Sequence, residues 1–352
     1  MKRSRKFLFQ WHLNEKCNLS CSHCYQENQS GFDFPKSKIF YIFDQFKLLL
    51  EKEFSFNPTA GDFAHINLTG GEPIVYDSFF EIVLEIAKNK DWLKFGLLTN
   101  GTLIDDSIAV FLKKAGVAFV QVSIDGGETV HDGIRGAGAF KSAISGLEKL
   151  SEHGIFTMIS FTANSSNYRE FPRVVEVAKK IGVKKVWADR MVPMGQGASS
   201  NFQTLSSLET SDFFDIMRSE KRRLEKSFFS QTFVSMHRAL QFHYGGLPPY
   251  SCSAVRELLA LMPDGTVFPC RRYPIPMGNI FTTNLYELRN SWLNQIEPRK
   301  EDIEATPCGV CRFYKFCKGG ARCISFAISK KAFSPDPGCW IANPKMEEKH
   351  VL

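Results

Sequence analysis

Between residues 7 and 191 the hydrophobic pattern alternates between two periods. Short runs rich in β-branched and aromatic residues, FLFQWHL (7–13), HINL (65–68), FGLLT (95–99), FVQVSI (119–124), TMISFTA (157–163) and KKVWADRM (184–191), read as strands. Between them lie amphipathic segments of helical period at 38–54, 77–92, 106–116, 139–154 and 169–182. Three of these close on Gly116, Gly154 and Gly182, as helix C-termini commonly do. Regular alternation of this kind predicts βα units around a parallel sheet. Six units are too few for a closed eight-stranded barrel, which leaves an open partial barrel or a doubly wound sheet. In either fold the working groups sit on loops after the C-terminal ends of the strands.

The rhythm fades after Leu205. A long polar helical stretch, SDFFDIMRSEKRRLEKSFF (211–229), leads into a Gly/Pro-bearing segment, HYGGLPPYSC (243–252). This region is the expected domain junction, dividing the chain into 1–235 and 236–352. Beyond it, LLALMPDGTVFPC (258–270) reads as a hairpin turning at Pro263-Asp264-Gly265. No repeat of solenoid type is visible.

Composition narrows the class. The chain of 352 residues is 43% hydrophobic and 23% charged, with 32 Phe, which excludes disorder and implies an aromatic-rich core. The opening MKRSRKFLFQWHL is interrupted too early for a signal peptide, and no stretch nears the roughly 18 apolar residues of a membrane span. These features predict a cytoplasmic chain without a membrane partner. The net charge of +7 forms no long basic run, and no basic stripe with interleaved aromatics marks a nucleic-acid partner. Ten Cys in a chain of this kind point to metal binding or catalysis, since a reducing cytosol disfavours structural disulfides.

The thiols are clustered. Cys17, Cys21 and Cys24 fall in CNLSCSHCYQ directly after the first strand, and the remaining seven run from Cys252 to Cys339. Three thiolates on one loop can hold three corners of a four-iron cube and leave one iron open. Zinc is the alternative, with His12 or His23 as a fourth ligand, although zinc loops normally pair two nearby knuckles.

The Cx3CxxC spacing followed by Tyr25 resembles the radical S-adenosylmethionine (SAM) family. The resemblance implies that the open iron is chelated by the methionine amino and carboxylate groups, and that one electron cleaves the sulfonium to a 5′-deoxyadenosyl radical. After the second strand, Thr69-Gly70-Gly71-Glu72-Pro73 combines a sharp Gly turn with a carboxylate suited to an ammonium. It is similar to the family's GGEP motif, which implies that Gly70, Gly71, Glu72 and Pro73 bind the methionine amino group. The same resemblance assigns Asn100, Ser123 and Asp125 to the cofactor's ribose or carboxylate side. It pairs Arg135 with that carboxylate and makes Asn164 and Met191 neighbours of the adenosine. By itself Met191 reads as core.

Seven C-terminal thiols are one fewer than two protein-closed cubes require, so the simplest partition is four and three. A pair of zinc ribbons is the alternative. The segments MPDGTVFPC, MGNIFTTNLYELRNSW and CGVCRFYKFCKGGARC resemble the SPASM extension of radical SAM enzymes that act on peptides and proteins. This implies one auxiliary cluster on Cys308, Cys311, Cys317 and Cys339, and another on Cys252, Cys270 and Cys323. Five residues, Lys318 to Arg322, separate Cys317 from Cys323 where the family has three. The three-thiol cluster would keep an open iron, or take an oxygen or nitrogen ligand, or the substrate.

Together the resemblances imply a partial (β/α)6 TIM-type barrel with a small C-terminal Cys-rich domain. They imply an enzyme that abstracts hydrogen from a peptide or protein, giving an oxidised or cross-linked residue in ribosomal peptide maturation. Tetrapyrrole side-chain modification is the alternative, and a zinc-stabilised binding module is the alternative from another class. Expected partners are the substrate, an electron donor such as flavodoxin or ferredoxin, and a separate leader-binding protein. Asp189, Tyr76 and His243 are the candidate general bases.

Overall fold

The computed structural model describes residues 7–26, 32–54, 64–199, 203–227, 230–245, 250, 252–331 and 333–341. Parts of the junction segment, 246–249 and 251, lie outside them, as do residues 228–229 at the end of the long polar stretch.

All six predicted strands form, as β1 (Phe7–His12), β2 (Ala64–Thr69), β3 (Leu93–Thr99), β4 (Phe119–Ser123), β5 (Thr157–Ala163) and β6 (Lys185–Arg190). They are neighbours in sequence order and all pair in parallel. Four further strands extend the same sheet: β7 (Phe233–Ser235), β8 (Leu258–Leu261), β9 (Thr266–Phe268) and β10 (Gly278–Asn279). The order is β10-β9-β8-β1-β2-β3-β4-β5-β6-β7. β7 lies parallel to β6, and β8 lies parallel to β1 with Leu8 opposite Leu258. The predicted hairpin is therefore real, with β8 antiparallel to β9, and it is stitched onto the barrel's first strand.

Alternation along the strands separates two faces. On β1, Phe7, Phe9 and Trp11 are fully buried toward the helix Ile39–Phe54. Phe9 stacks on Phe46 at 4.9 Å, and Trp11 meets Phe34 and Phe43 edge-on at 5.2 and 5.8 Å. On β5, Phe161 packs against Phe171 and Phe213 in the same outer layer. The opposite face curls inward. His65 of β2 stacks on Phe119 of β4 at 5.3 Å although β3 lies between them. Gly96 of β3 makes this possible, since a Cβ there would lie 2.4 Å from the Phe119 ring. Likewise Trp187 Nε1 of β6 donates to Gln121 Oε1 of β4 at 3.1 Å, across β5. Side chains two strands apart meet only where the sheet is strongly concave, because flat neighbours are about 4.8 Å apart per strand. The fold is the expected α/β partial barrel.

The five predicted helices form at Ile39–Phe54, Phe79–Lys88, Asp106–Lys114, Ala139–Glu152 and Phe171–Ile181. Two details differ from expectation. The polar helix spans Ser207–Glu225, four residues earlier than its apolar pattern indicated, because Ser206 and Glu209 form a reciprocal capping box. An unpredicted helix, Glu128–Arg135, follows β4 and buries His131 and Arg135. Among the described residues no helix is long and apolar enough to cross a membrane.

Candidate active site and its three thiol groups

The loop after β1 carries Cys17, Cys21 and Cys24, and the turn after β2 holds it in place. Gly71 N donates to Asn14 O at 3.0 Å, Glu72 N to Lys16 O at 2.8 Å, and Asn14 Nδ2 to Glu72 O at 2.9 Å. The backbones approach so closely that a Cβ on Gly71 would lie 2.1 Å from Lys16 O. The paired glycines thus seat the cysteine loop. Pro73 opens the short turn Pro73–Val75, with Glu72 as its N-cap.

Glu72 is fully buried. Its Oε1 accepts from Thr99 Oγ1 at 2.8 Å and Ile74 N at 3.4 Å, and its Oε2 from Asn100 N at 2.8 Å. Burial outweighs these bonds and pushes its pKa up to about 7. A carboxylate has about four acceptor directions, so one remains for a further donor. Asn100 also reaches the cysteine loop, with Nδ2 2.8 Å from Asn18 Oδ1 and 3.9 Å from Cys17 Sγ.

Asp125, just past β4, is fully enclosed by protein donors. Its Oδ2 accepts from Arg135 Nε at 2.6 Å and faces His23 Nε2 at 3.0 Å, while Oδ1 accepts from Thr162 N at 2.9 Å. Burial alone would raise its pKa, but the charges of Arg135 and then His23 hold it well below the usual carboxylate range. Arg135 Nη1 lies 3.8 Å from Cys21 Sγ. Asp125 is saturated by these donors, whereas the Nη nitrogens of Arg135 keep donor capacity to spare.

Other predicted positions fall as follows. Asn164 is fully buried, and its Oδ1 accepts from Ser166 N, Ser166 Oγ and Asn167 N. Its Nδ2 has no partner among the described residues. Ser123 ends β4, half-buried. Met191 is buried after β6, with its N bonded to Ala163 O. The Tyr25 ring lies beneath the Arg271 guanidinium at 5.1 Å. Of the candidate bases, Tyr76 donates its hydroxyl to Phe34 O, and Asp189 is paired with Arg238 and Arg272 at 3.1 and 2.7 Å. His243 packs among Phe313 and Trp340.

The C-terminal thiols separate into two groups. Cys308, Cys311, Cys317 and Cys339 line one small pocket, partly open to solvent, together with His243 and Asp336. Burial pushes Cys308 up to about 11 and Cys317 to about 12, and Cys339 is a further cause for both. Cys323 is likewise pushed up to about 12, first by burial, and it feels Cys270 and Cys252. Cys17 is raised to about 11 by burial. What suits each group to a metal centre is its set of sulfur donors in one place, and metal binding there would displace the thiol protons. Among the described residues no three His, Cys, Asp or Glu donors converge as for a single ion. The ligands of a cube need not converge, since each binds a different iron.

A family model described as "Radical SAM superfamily" matches residues 11–178, and the SPASM model, described as "Iron-sulfur cluster-binding domain", matches residues 252–312. The chain carries a radical SAM domain and a SPASM domain. It is 27% identical to an Fe-coproporphyrin III synthase of Methanosarcina barkeri, over 98% of this chain and 90% of that protein. It is also 27% identical to the mycofactocin maturase MftC of Mycobacterium ulcerans, over 94% and 86%. Among solved structures, anSMEcpe with bound AdoMet superposes with a TM-score of 0.72 at 19% identity, covering 96% of this chain and 91% of that one. Streptococcus suis SuiB bound to precursor peptide SuiA gives 0.72 at 15%, covering 96% and 76%.

This radical SAM enzyme thus has a family-wide requirement for SAM, a [4Fe-4S] cluster and auxiliary iron-sulfur centres, and the residues present fit them. The three thiol groups supply sulfur donors, Glu72 has an acceptor direction to spare, and Asn164 Nδ2 is orphaned. Several side chains at the site carry no local sequence signal of their role. Arg238 and Arg272 converge on Asp189 from segments distant in sequence, and Asp336 accepts from Arg190, Ala321 N and Gly338 N. His23, inside the cysteine motif, and Asp189, a candidate base, were visible in the sequence, and their partners prove to be Asp125 and the two arginines Arg238 and Arg272.

Proposed function

We propose that this radical SAM/SPASM enzyme acts on a peptide or protein chain, removing hydrogen to give an oxidised or cross-linked residue. The observation that carries this reading is the amide lining of the barrel's concave face. Gln10, Asn67 and Gln121 alternate with the outward-packed apolar residues of β1, β2 and β4. Asn67 Oδ1 is buried without a partner among the described residues, an acceptor that a backbone N–H would satisfy. The names of MftC, a maturase, and of SuiB with its precursor peptide point the same way.

The bound cluster and SAM would supply the 5′-deoxyadenosyl radical. Cys17, Cys21 and Cys24 hold that cluster in this reading, with Tyr25 beside them. Gly70 and Gly71 shape the turn, Glu72 accepts the methionine ammonium, and Arg135 offers its Nη nitrogens to the carboxylate. Asp125 and His23 fix Arg135, while Asn100, Ser123, Asn164 and Met191 border the nucleoside. Two auxiliary clusters rest on Cys308, Cys311, Cys317 and Cys339 and on Cys252, Cys270 and Cys323, in a SPASM unit spanning 236–352 after a core of 1–235. The barrel's concave face would hold the substrate carbon beside the nucleoside, within the roughly 3 to 4 Å that a near-attack geometry requires. Ten reduced thiols fit a cytoplasmic setting, with a flavodoxin or ferredoxin as donor and a separate leader-binding protein.

A second reading is tetrapyrrole modification. It is favoured by the near-complete match to Fe-coproporphyrin III synthase and by Arg238, Arg271 and Arg272 at the barrel mouth, which suit carboxylate side chains. The deciding experiment reconstitutes the enzyme anaerobically and offers SAM, dithionite and either a short peptide encoded beside the gene or a panel of iron porphyrins and related tetrapyrroles with carboxylate side chains. Peptide-dependent 5′-deoxyadenosine with loss of hydrogen from the peptide supports the proposal. Turnover of a tetrapyrrole alone overturns it.

A further inference from the structure

The cavity lined by Cys308, Cys311, Cys317 and Cys339 opens beside a surface that neither the fold nor the barrel chemistry uses. Val310 is 95% exposed and Phe316 47% exposed, two large apolar side chains turned to the surface on one loop. Around them Arg312, Lys315 and Lys318 are exposed and make no ion pair among the described residues. Each lies over a ring of the same loop: Arg312 over Phe313 at 4.7 Å, Lys315 over Phe316 at 4.8 Å and Lys318 over Tyr314 at 5.7 Å. From Cys308 to Lys331 the chain has six Lys and Arg and no Asp or Glu, against a net charge of +7 for all 352 residues. Of the four acids just before this stretch, Glu297, Asp302 and Glu304 are matched by Arg256, Arg299 and Lys300, which leaves Glu301 as the one carboxylate there without an ion pair among the described residues, against six bases. The excess charge is thus uncompensated where the thiols reach the surface.

We propose that Val310, Arg312, Lys315, Phe316 and Lys318 form the docking surface for an acidic one-electron carrier protein. The inference rests on the reading of Cys308, Cys311, Cys317 and Cys339 as ligands of a redox cluster. Arg312 directly follows Cys311 and Lys318 directly follows Cys317, so a partner seated here stands over that cluster. A small apolar centre within a ring of like charges is the form of a transient redox interface, in which charge sets encounter rate and orientation. The step transfers one electron: the reduced carrier is oxidised by one and the cluster is reduced by one, with no bond made or broken.

The test uses reconstituted holoenzyme and an acidic flavodoxin, with the dissociation constant read by fluorescence. Lys315→Glu/Lys318→Glu should weaken binding at least about tenfold, as should raising salt from about 50 to 300 mM. Lys315→Gln/Lys318→Gln, which keeps side-chain size, should weaken it by a smaller factor. Flavodoxin-driven 5′-deoxyadenosine formation should fall in step while the dithionite-driven rate and the iron content stay unchanged. Binding insensitive to all these changes overturns the proposal. So does loss of dithionite-driven peptide turnover in the variants, which would assign the surface to an acidic leader peptide. Wild-type enzyme that makes no 5′-deoxyadenosine with dithionite would instead sink the enzymatic reading itself.

Discussion

Arg190 and Asp336 form a bidentate ion pair, Nη1 to Oδ1 at 2.8 Å and Nη2 to Oδ2 at 2.5 Å, across 146 residues of sequence. Both side chains are almost fully buried, at 3% and 1% exposure. Arg190 is the last residue of β6, and Asp336 lines the four-thiol cavity. Its neighbour Asp189 projects to the opposite face, where it binds Arg238 and Arg272, and Arg272 lies two residues beyond Cys270. Two adjacent residues at the end of one strand therefore grip both C-terminal thiol groups.

Removing Arg190 leaves Asp336 buried without its counter-charge, at a cost of about 3 to 5 kcal/mol. Arg190→Met should lower the thermal midpoint of the reconstituted protein and reduce its iron content. The spectrum of the Cys17, Cys21 and Cys24 cluster should persist. Unchanged iron would contradict the gripping role.

Glu72 gives a pH dependence with a definite sign. Its native pKa of about 7 lies above the ordinary carboxyl value of about 4.3, so between these the folded state binds more protons than the unfolded. Its contribution to stability is greatest below about pH 4.3 and falls by about 3 kcal/mol as pH rises to 7. Denaturation of SAM-free protein from about pH 5.5 to 8 should show about 2 kcal/mol of this loss in the difference between wild type and Glu72→Gln. Adding SAM should restore stability at the alkaline end, since an ammonium beside Glu72 favours its charge. A flat difference would refute the assignment.

Glycines at two places make a contrast. Gly71→Ala forces a Cβ against Lys16 O and should displace the cysteine loop, with loss of one cluster's worth of iron. Gly133→Ala meets nothing within 4 Å in the helix Glu128–Arg135, and should stabilise by about 0.5 to 1 kcal/mol through helix propensity. Iron analysis and thermal unfolding read both.

The division of the C-terminal thiols is tested by Cys323→Ala and Cys317→Ala. Each should remove about four irons and a different paramagnetic signal from the reduced protein. Loss of the same signal in both would merge the two groups into one.

Much was legible in the chain. Period-two and helical patterns are local, so all six barrel strands and five of its helices were readable, and the turn residues Pro263, Asp264 and Gly265 located the hairpin. Motif spacing singled out Cys17, Cys21 and Cys24 on one loop and Cys308, Cys311 and Cys317 on another, because these thiols lie close together in sequence. The helix Glu128–Arg135 was missed because it is only eight residues long and the face it buries carries His131 and Arg135 beside Ile134, not an apolar run. Ser206 and Glu209 did carry a signal, the capping-box spacing, that would have corrected the start of the polar helix.

The sequence by itself determined the element types, their order and the chemistry of the loops, because these depend on neighbours a few residues apart. Only the tertiary structure decided that β8 pairs with β1, that Asp125 serves Arg135 and His23, and that Arg190 reaches Asp336. Those partners are brought together by the curl of the sheet. Strand pairing and buried charge compensation depend on which distant segment occupies the adjoining space, and no local pattern records that choice.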